Sequence, residues 1–239
     1  MPHPFHPDDF PINTTRRFQP TRVLFLKGCI HFKTTAQILE LTGSVGAAPL
    51  TAGGDLSSAF LDEAERAADH LVRRDAEPLY QIASSGNMMR TLKTLTRGRS
   101  GAKVADLNMT FVSFDSSSVR FPRDSPHCRH EVEICPVSPS SFASTSAAGR
   151  GDSSKDGADA RHEAFVRHSI PYFWDLTRGR NGVLYKCLNQ QRVEVARVTA
   201  AGRGSDDDAI LVFDSDELDD AVTVSTCIVL LNGRDAIDT

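Results

Sequence analysis

Apolar positions along the chain follow two spacings, and one stretch follows neither. Over residues 21–137, and again from residue 164 onward, large apolar residues come in short runs or alternate with polar ones. Gly, Pro, Asp and Asn separate the runs. Val23, Leu24, Phe25 and Leu26 form one run, the Lys27-Gly28 turn follows, and Cys29, Ile30 and Phe32 resume it. Residues 36–41 fit a further strand or one helical turn. Residues 79–82, 88–95 and 103–114 continue the pattern, as do Val119 with Phe121 and Val132 with Ile134. Tyr172, Trp174 and Leu176 alternate, followed by runs at residues 183–185, 193–198 and 210–213. Short strands separated by tight turns predict an antiparallel sheet or barrel.

The second spacing is helical. Phe60, Ala64, Ala67, Ala68, Leu71 and Val72 recur at three and four residues, with Asp62, Glu63, Glu65, Arg66 and Asp69 on the other side. This predicts one amphipathic helix over residues 55–72, capped by Asp55, with a shorter helix near 55–68 left open because the residues beyond also fit a hairpin. Residues 215–233 follow neither rule. Ser215 can cap, Asp216 and Glu217 suit a helix N-terminus, and Gly233 suits its end. From Val224 to Leu231 the apolar residues go all the way round, so a helix here must be enclosed by the rest of the protein. The β-branched Val222, Thr223, Val224, Thr226, Ile228 and Val229 fit a buried strand equally well.

Two segments carry no pattern. Residues 1–20 contain five prolines and predict a disordered tail, in which His3 and His6 have no partner of fixed geometry. Residues 138–163 open on a Ser-, Ala- and Gly-rich stretch with Phe142 its one large apolar residue, and predict a disordered insert. The Arg150-Gly151-Asp152 tripeptide inside it is read as chance. The expected organisation is therefore a tail (1–20), the first half of a barrel (21–137), an insert (138–163) and the second half (164–239) with a core helix over 216–231.

Composition narrows the function. The net charge of −4 has both signs interspersed, which argues against a protein that coats nucleic acid. The five cysteines are odd in number and scattered, and no apolar run follows a basic N-terminus, so a reduced, cytoplasmic compartment is expected. Residues 215–233 are too short for a membrane span, and Thr223, Ser225 and Thr226 interrupt them, so no transmembrane segment is expected. The glycine-rich loop over residues 43–54 lacks the Gly-Lys-Ser/Thr of a phosphate loop and the spacing of a nucleophile elbow.

No nucleophile stands beside an orienting base, so no enzyme, catalytic residue or cofactor is expected. His127, Cys128, His130 and Cys135 lack the spacing of a zinc site, and Asp206-Asp207-Asp208 lacks the Gly and distal Glu of a calcium loop, so no metal is expected. Trp174 reads as core. The strongest binding candidates are Arg97, Arg99, Arg178 and Arg180, from LTRGRSG (95–101) and its echo LTRGRNG (176–182). If the two hairpin tips share one barrel end, four guanidiniums can gather around a phosphate head group.

Four segments in order also resemble a family. Leu79-Tyr80-Gln81-Ile82, the pair of strand patterns in AKVADLNMTFVSFDSSSVRF (102–121), YFWDLTRGRNGVLYKCLNQQRVEVARV (172–198) and the final apolar stretch are similar to a fungal domain of unknown function, number 6593. That domain is related to the tubby C-terminal-like and LURP-one-like barrels. The resemblance spans roughly residues 71–234 and implies a closed antiparallel barrel around a C-terminal helix, which resolves residues 215–233 as helix. Tubby-type barrels bind phosphoinositides. The expected function is a non-enzymatic tubby-like barrel that binds an anionic membrane lipid at its surface. The alternatives are an intracellular protein-interaction module with no ligand of its own and, more remotely, a small-molecule enzyme.

Overall fold

A computed structural model describes residues 7–30, 35–87, 90–110, 116–137, 162–178, 181–202 and 207–232. Its strands are β1 (Arg22–Lys27), β2 (Thr35–Glu40), β3 (Tyr80–Asn87), β4 (Arg90–Arg97), β5 (Ala102–Thr110), β6 (Ser117–Arg120), β7 (Val132–Val137), β8 (His162–Arg167), β9 (Ile170–Arg178), β10 (Asn181–Leu188), β11 (Gln191–Ala200) and β12 (Ala209–Phe213). Each pairs antiparallel with its sequence neighbours, and β12 pairs with β1, so the sheet closes on itself. Closure removes the sheet edges that would otherwise template aggregation. The protein is mainly β, a closed antiparallel barrel of twelve strands with two helices, α1 (Ser58–Arg73) and α2 (Asp220–Asn232).

The C-terminal apolar stretch is a helix, and it fills the barrel. Every residue of α2 from Ala221 to Asn232 is buried, and its apolar side chains form one cluster with inward side chains of all twelve strands. A helix with no polar face has no other stable place in water. Its true N-terminus is Asp220, not Ser215. Asp219 caps it, its Oδ1 accepting from the N–H groups of Ala221 (3.0 Å) and Val222 (3.2 Å). The β-branched residues tolerate the helix because enclosure, not intrinsic propensity, decides the conformation here.

The polar side chains inside α2 show how the enclosure is satisfied. The Thr223 hydroxyl donates to the Asp219 carbonyl (2.9 Å), the Thr226 hydroxyl donates to the Thr223 carbonyl (3.2 Å), and the Trp174 indole donates to Thr226 Oγ1 (3.3 Å). Asn232 donates to the carbonyls of Cys29 (2.8 Å) and Ile228 (2.9 Å) and accepts from the buried Lys93 ammonium of β4. Ser225 is the exception: its hydroxyl is buried without a hydrogen-bond partner among the described residues. A buried unmade hydrogen bond costs about 1–3 kcal/mol. Ser225→Ala is therefore expected to stabilise the protein by about 1 kcal/mol, seen as a higher urea midpoint at unchanged slope. A lower midpoint would mean that the hydroxyl has a partner.

The helix α1 lies outside. Its cap is Ser57, two residues beyond Asp55 (Ser57 Oγ accepts from Phe60 N–H, 3.2 Å), and it runs past Ala68 to Arg73. Phe60, Ala64 and Ala68 pack on the outer side chains Phe25, Leu39, Ile210 and Val212. That cover explains why β1 and β12 are continuous apolar runs and not alternating ones, since both of their faces are buried.

The tail expectation needs correction. Residues 7–20 are an irregular but placed strap across the outside of the barrel. β12 is only five residues long and pairs with β11 at Ala196 to Ala200, leaving the first half of β11 without that neighbour. The strap fills part of the gap: Arg192 N–H donates to the Pro11 carbonyl (3.0 Å) and Asn13 N–H to the Arg192 carbonyl (2.9 Å). Phe10 lies against Phe173, ring centroids 5.9 Å apart. The prolines exclude a long helix but allow the 3-10 turn at Pro7–Asp9 and an extended strap after it, whose partner edge at Arg192 is remote in sequence. The insert boundary also moves, because β8 already begins at His162; residues 138–161 lie outside the described residues.

Candidate anion-binding rim

Strand direction decides which turns share a rim. Because all pairings are antiparallel, even-numbered strands finish at the rim where α2 enters, and odd-numbered strands finish at the opposite one. β4 ends at Arg97 and β9 at Arg178, so the two LTRGR tips stand at opposite ends of the barrel. The four arginines do not gather. Arg97 and Arg99 are on the entry rim, Arg178 closes β9 at the far rim, and Arg180 lies outside the described residues. The echoed glycines also differ in role. Gly98 and Gly101 have φ of +48° and +66°, a left-handed backbone that suits glycine, whereas a Cβ on Gly182 would lie 3.3 Å from Leu230 of α2. The shared heptapeptide is a coincidence of turn chemistry.

At the mouth of the barrel, around the start of α2, charges neutralise one another. Asp219 Oδ2 is 2.9 Å from His127 Nδ1, and Asp220 is 2.8 Å from Arg22, which also reaches Glu40. Glu217 bonds Lys186 (2.8 Å) and Arg16, and the Lys186 hydrogen bond, followed by that of Arg16, holds its carboxyl below the usual range. Burial, then Asp220 and Asp219, push the Tyr80 phenol up to about 12. This network seals the helix entrance and leaves no open cationic site at its centre.

Outside the mouth the entry rim is different. The β6–β7 loop is held down by Phe121 and Cys128, both buried in the barrel core. The His127 bond to Asp219 and the Arg167 donation to the His127 carbonyl (2.8 Å) fix it further. Arg123 and Arg129, beside these anchors, are exposed, and their guanidiniums and that of Arg97 make no hydrogen bond or ion pair among the described residues. Arg99 is engaged instead, donating to the Asp75 carboxylate (2.6 Å) and carbonyl (2.9 Å). The ends of β4 and β6 are two strand spacings apart, ~10 Å, which three long guanidinium side chains can span. Asp124 is the acidic neighbour in the same loop; Glu131 is taken by Arg120 and Ser118.

Sequence reading missed Arg123 and Arg129 because it weighed His127, Cys128 and His130 only as metal ligands. The structure spends those residues otherwise: Cys128 faces the core and His127 pairs with Asp219. The available signal was two arginines flanking the Pro122 and Pro126 turn residues. Trp174 is fully buried, as a core residue would be. Asp208 of the acidic turn accepts from the Gly28 N–H (2.6 Å), which ties it to the end of β1.

The thiols offer little chemistry. Burial pushes Cys29, Cys187 and Cys227 well up, Cys187 to about 12, which leaves them protonated and poorly nucleophilic at neutral pH. No group of three metal-ligating side chains converges among the described residues. No helix among them is long and apolar enough to cross a membrane. The fold and rim thus define a class: a closed antiparallel barrel, filled by its own C-terminal helix, with exposed arginines around the helix entrance. The chain matches no protein-family model, no curated protein and no solved structure.

Proposed function

We propose that this is a non-enzymatic, tubby-like binding barrel that docks its entry rim on anionic phosphate head groups at a membrane surface. The observation that carries the reading is the trio of exposed arginines Arg97, Arg123 and Arg129, whose guanidiniums have no partner among the described residues, on one rim of a barrel whose interior is occupied. A ligand cannot enter where α2 sits, so recognition has to happen outside. Guanidiniums suit phosphate because they offer paired donors in a fixed plane. The resemblance to tubby-type barrels supports the same chemistry, with the rim arginines in place of the four from the two echoed turns.

Sedimentation with vesicles tests this. Wild type should pellet with phosphatidylcholine vesicles containing a few per cent phosphoinositide at low salt, and not with phosphatidylcholine alone. Arg97→Ala/Arg123→Ala/Arg129→Ala should weaken binding by about 100-fold, from ~1 kcal/mol per basic residue, with the melting curve unchanged. Raising the salt should mimic the triple variant. Arg178→Ala, at the opposite rim, should bind as wild type does. Failure of wild type to bind at low salt ends the lipid reading.

A further inference from the structure

We infer that the outer face of β7 to β10, with the open edge of β11, is a docking groove for an extended peptide segment, and that the N-terminal strap occupies it in cis. The reading goes beyond the rim, which is a different surface. Three observations meet here. First, the β11 edge at Arg192 offers an N–H and a carbonyl that β12 is too short to reach, and the strap takes both, at 3.0 and 2.9 Å. An edge of this kind binds extended chain by strand addition. Second, a small apolar patch outside the barrel core, made of Val137, Ala164, Phe173 and Cys187, is covered by the Phe10 side chain of the strap. Third, polar groups bracket the pair. The Asn13 amide donates to Gln191 Oε1 (2.8 Å), and the Arg192 guanidinium reaches the Pro7 carbonyl (3.5 Å) while lying 5.2 Å from the Tyr185 ring centroid.

The strap shows what chemistry the groove selects. An aromatic side chain fills the patch. The next residue contributes only its carbonyl, so proline is allowed there, as at Pro11. The residue after that points outward, as Ile12 does at 49% exposure. The fourth donates its N–H, so proline is excluded, and a short amide there reaches Gln191. The partner is therefore an extended segment of the form aromatic–Pro–aliphatic–Asn, from another protein. The cis segment is held by the Phe10 ring, the buried Pro7, the packing of Phe18 on the α1 cluster, two ladder bonds and solvent-facing links such as Arg16 to Glu217. Among the described side chains of residues 7–20 only Pro7 is buried, and such an element opens far more readily than the barrel itself, so a partner with the same pattern can displace it once its concentration exceeds the effective concentration of the tethered strap.

Cys187 reports the state of the groove, because it lies beneath the strap and is 3% exposed. In the full chain, Phe10→Ala should raise the rate of Cys187 alkylation by iodoacetamide, read by peptide mass spectrometry, at least tenfold, with a cooperative melt retained. Asn13→Pro, which removes the ladder N–H without touching the apolar patch, should act in the same direction. A synthetic peptide of residues 5–16 should restore protection to both variants. Its fluorescein-labelled form should bind them at least tenfold more tightly than wild type, where the strap blocks the groove. The peptide carrying Phe10→Ala should do neither. Unchanged Cys187 reactivity in both variants would overturn the inference, as would no protection at hundredfold peptide excess. Loss of cooperative melting in both would overturn it too, since the strap would then be part of the folding core.

Discussion

Ile228→Asp is expected to abolish cooperative folding. Ile228 is fully buried at the centre of α2, inside a closed ring of strands. A carboxylate there is taken out of bulk water, and the buried Lys93 ammonium one turn on is already engaged by Asn232, so it must stay charged at a cost of several kcal/mol or protonate and still bury an unpaired acid. A domain of this kind has about 5–15 kcal/mol of stability in total, so one such group removes most of it. Val224→Pro should be as damaging by a separate route, since it deletes a mid-helix hydrogen bond and clashes with the preceding turn, at about 3 kcal/mol or more. Trp174, the one tryptophan of the chain, is in the same core and reports the outcome. Its emission should shift from a buried to a solvated maximum, with loss of the β circular-dichroism signal. Two soluble variants that melt cooperatively with buried Trp174 emission would mean that the barrel does not depend on its central helix.

Trp174→Ala is the second large effect. Trp174 is the largest fully buried side chain, and it bridges β9 to α2 through the indole bond to Thr226. Removing it leaves a cavity between sheet and helix, and such truncations cost about 3–5 kcal/mol. The hydrogen bond adds little to that figure, because the Thr226 hydroxyl keeps its donation to the Thr223 carbonyl. Trp174→Phe separates the two contributions, since it retains most of the ring and loses only the N–H. Urea unfolding followed by circular dichroism should place Trp174→Phe near wild type, within about 1–1.5 kcal/mol, and Trp174→Ala far below both. Equal losses would mean that the indole N–H, not the ring volume, matters at this site.

Much of the barrel was legible along the chain because its signals are local. Alternation in β7 and β9 marks strands with one face inward. The unbroken apolar runs of β1 and β12 mark strands covered on both sides, although only the structure shows that α1 does the covering. The helical spacing of Phe60, Ala64 and Ala68 identified α1, and its end stayed open between residues 68 and 72 because residues beyond Ala68 are also compatible with a strand; the structure carries it to Arg73. The helix-or-strand question for α2 stayed open on local grounds, since its β-branched residues and its end signals point in different directions. What resolves it is a closed sheet that satisfies its own edges and leaves an interior that only a self-bonded helix can fill.

The binding surface was much less legible. Arg97 was found from its turn, but Arg123 and Arg129 gain meaning only when β4 and β6 are known to end at the same rim. Arg178 loses its place in the site for the same reason, because β9 runs the other way. Likewise nothing near Phe10 in the sequence reveals the half-open edge at Arg192 that holds the strap. By itself the sequence determined which segments are strands or the outer helix, and that residues 215–233 had to be enclosed, since backbone periodicity and burial are written in nearest neighbours. Only the tertiary structure decided which turns meet, which arginines stand unpaired and where the N-terminal segment lies, since those depend on strand direction and on contacts between residues more than a hundred positions apart.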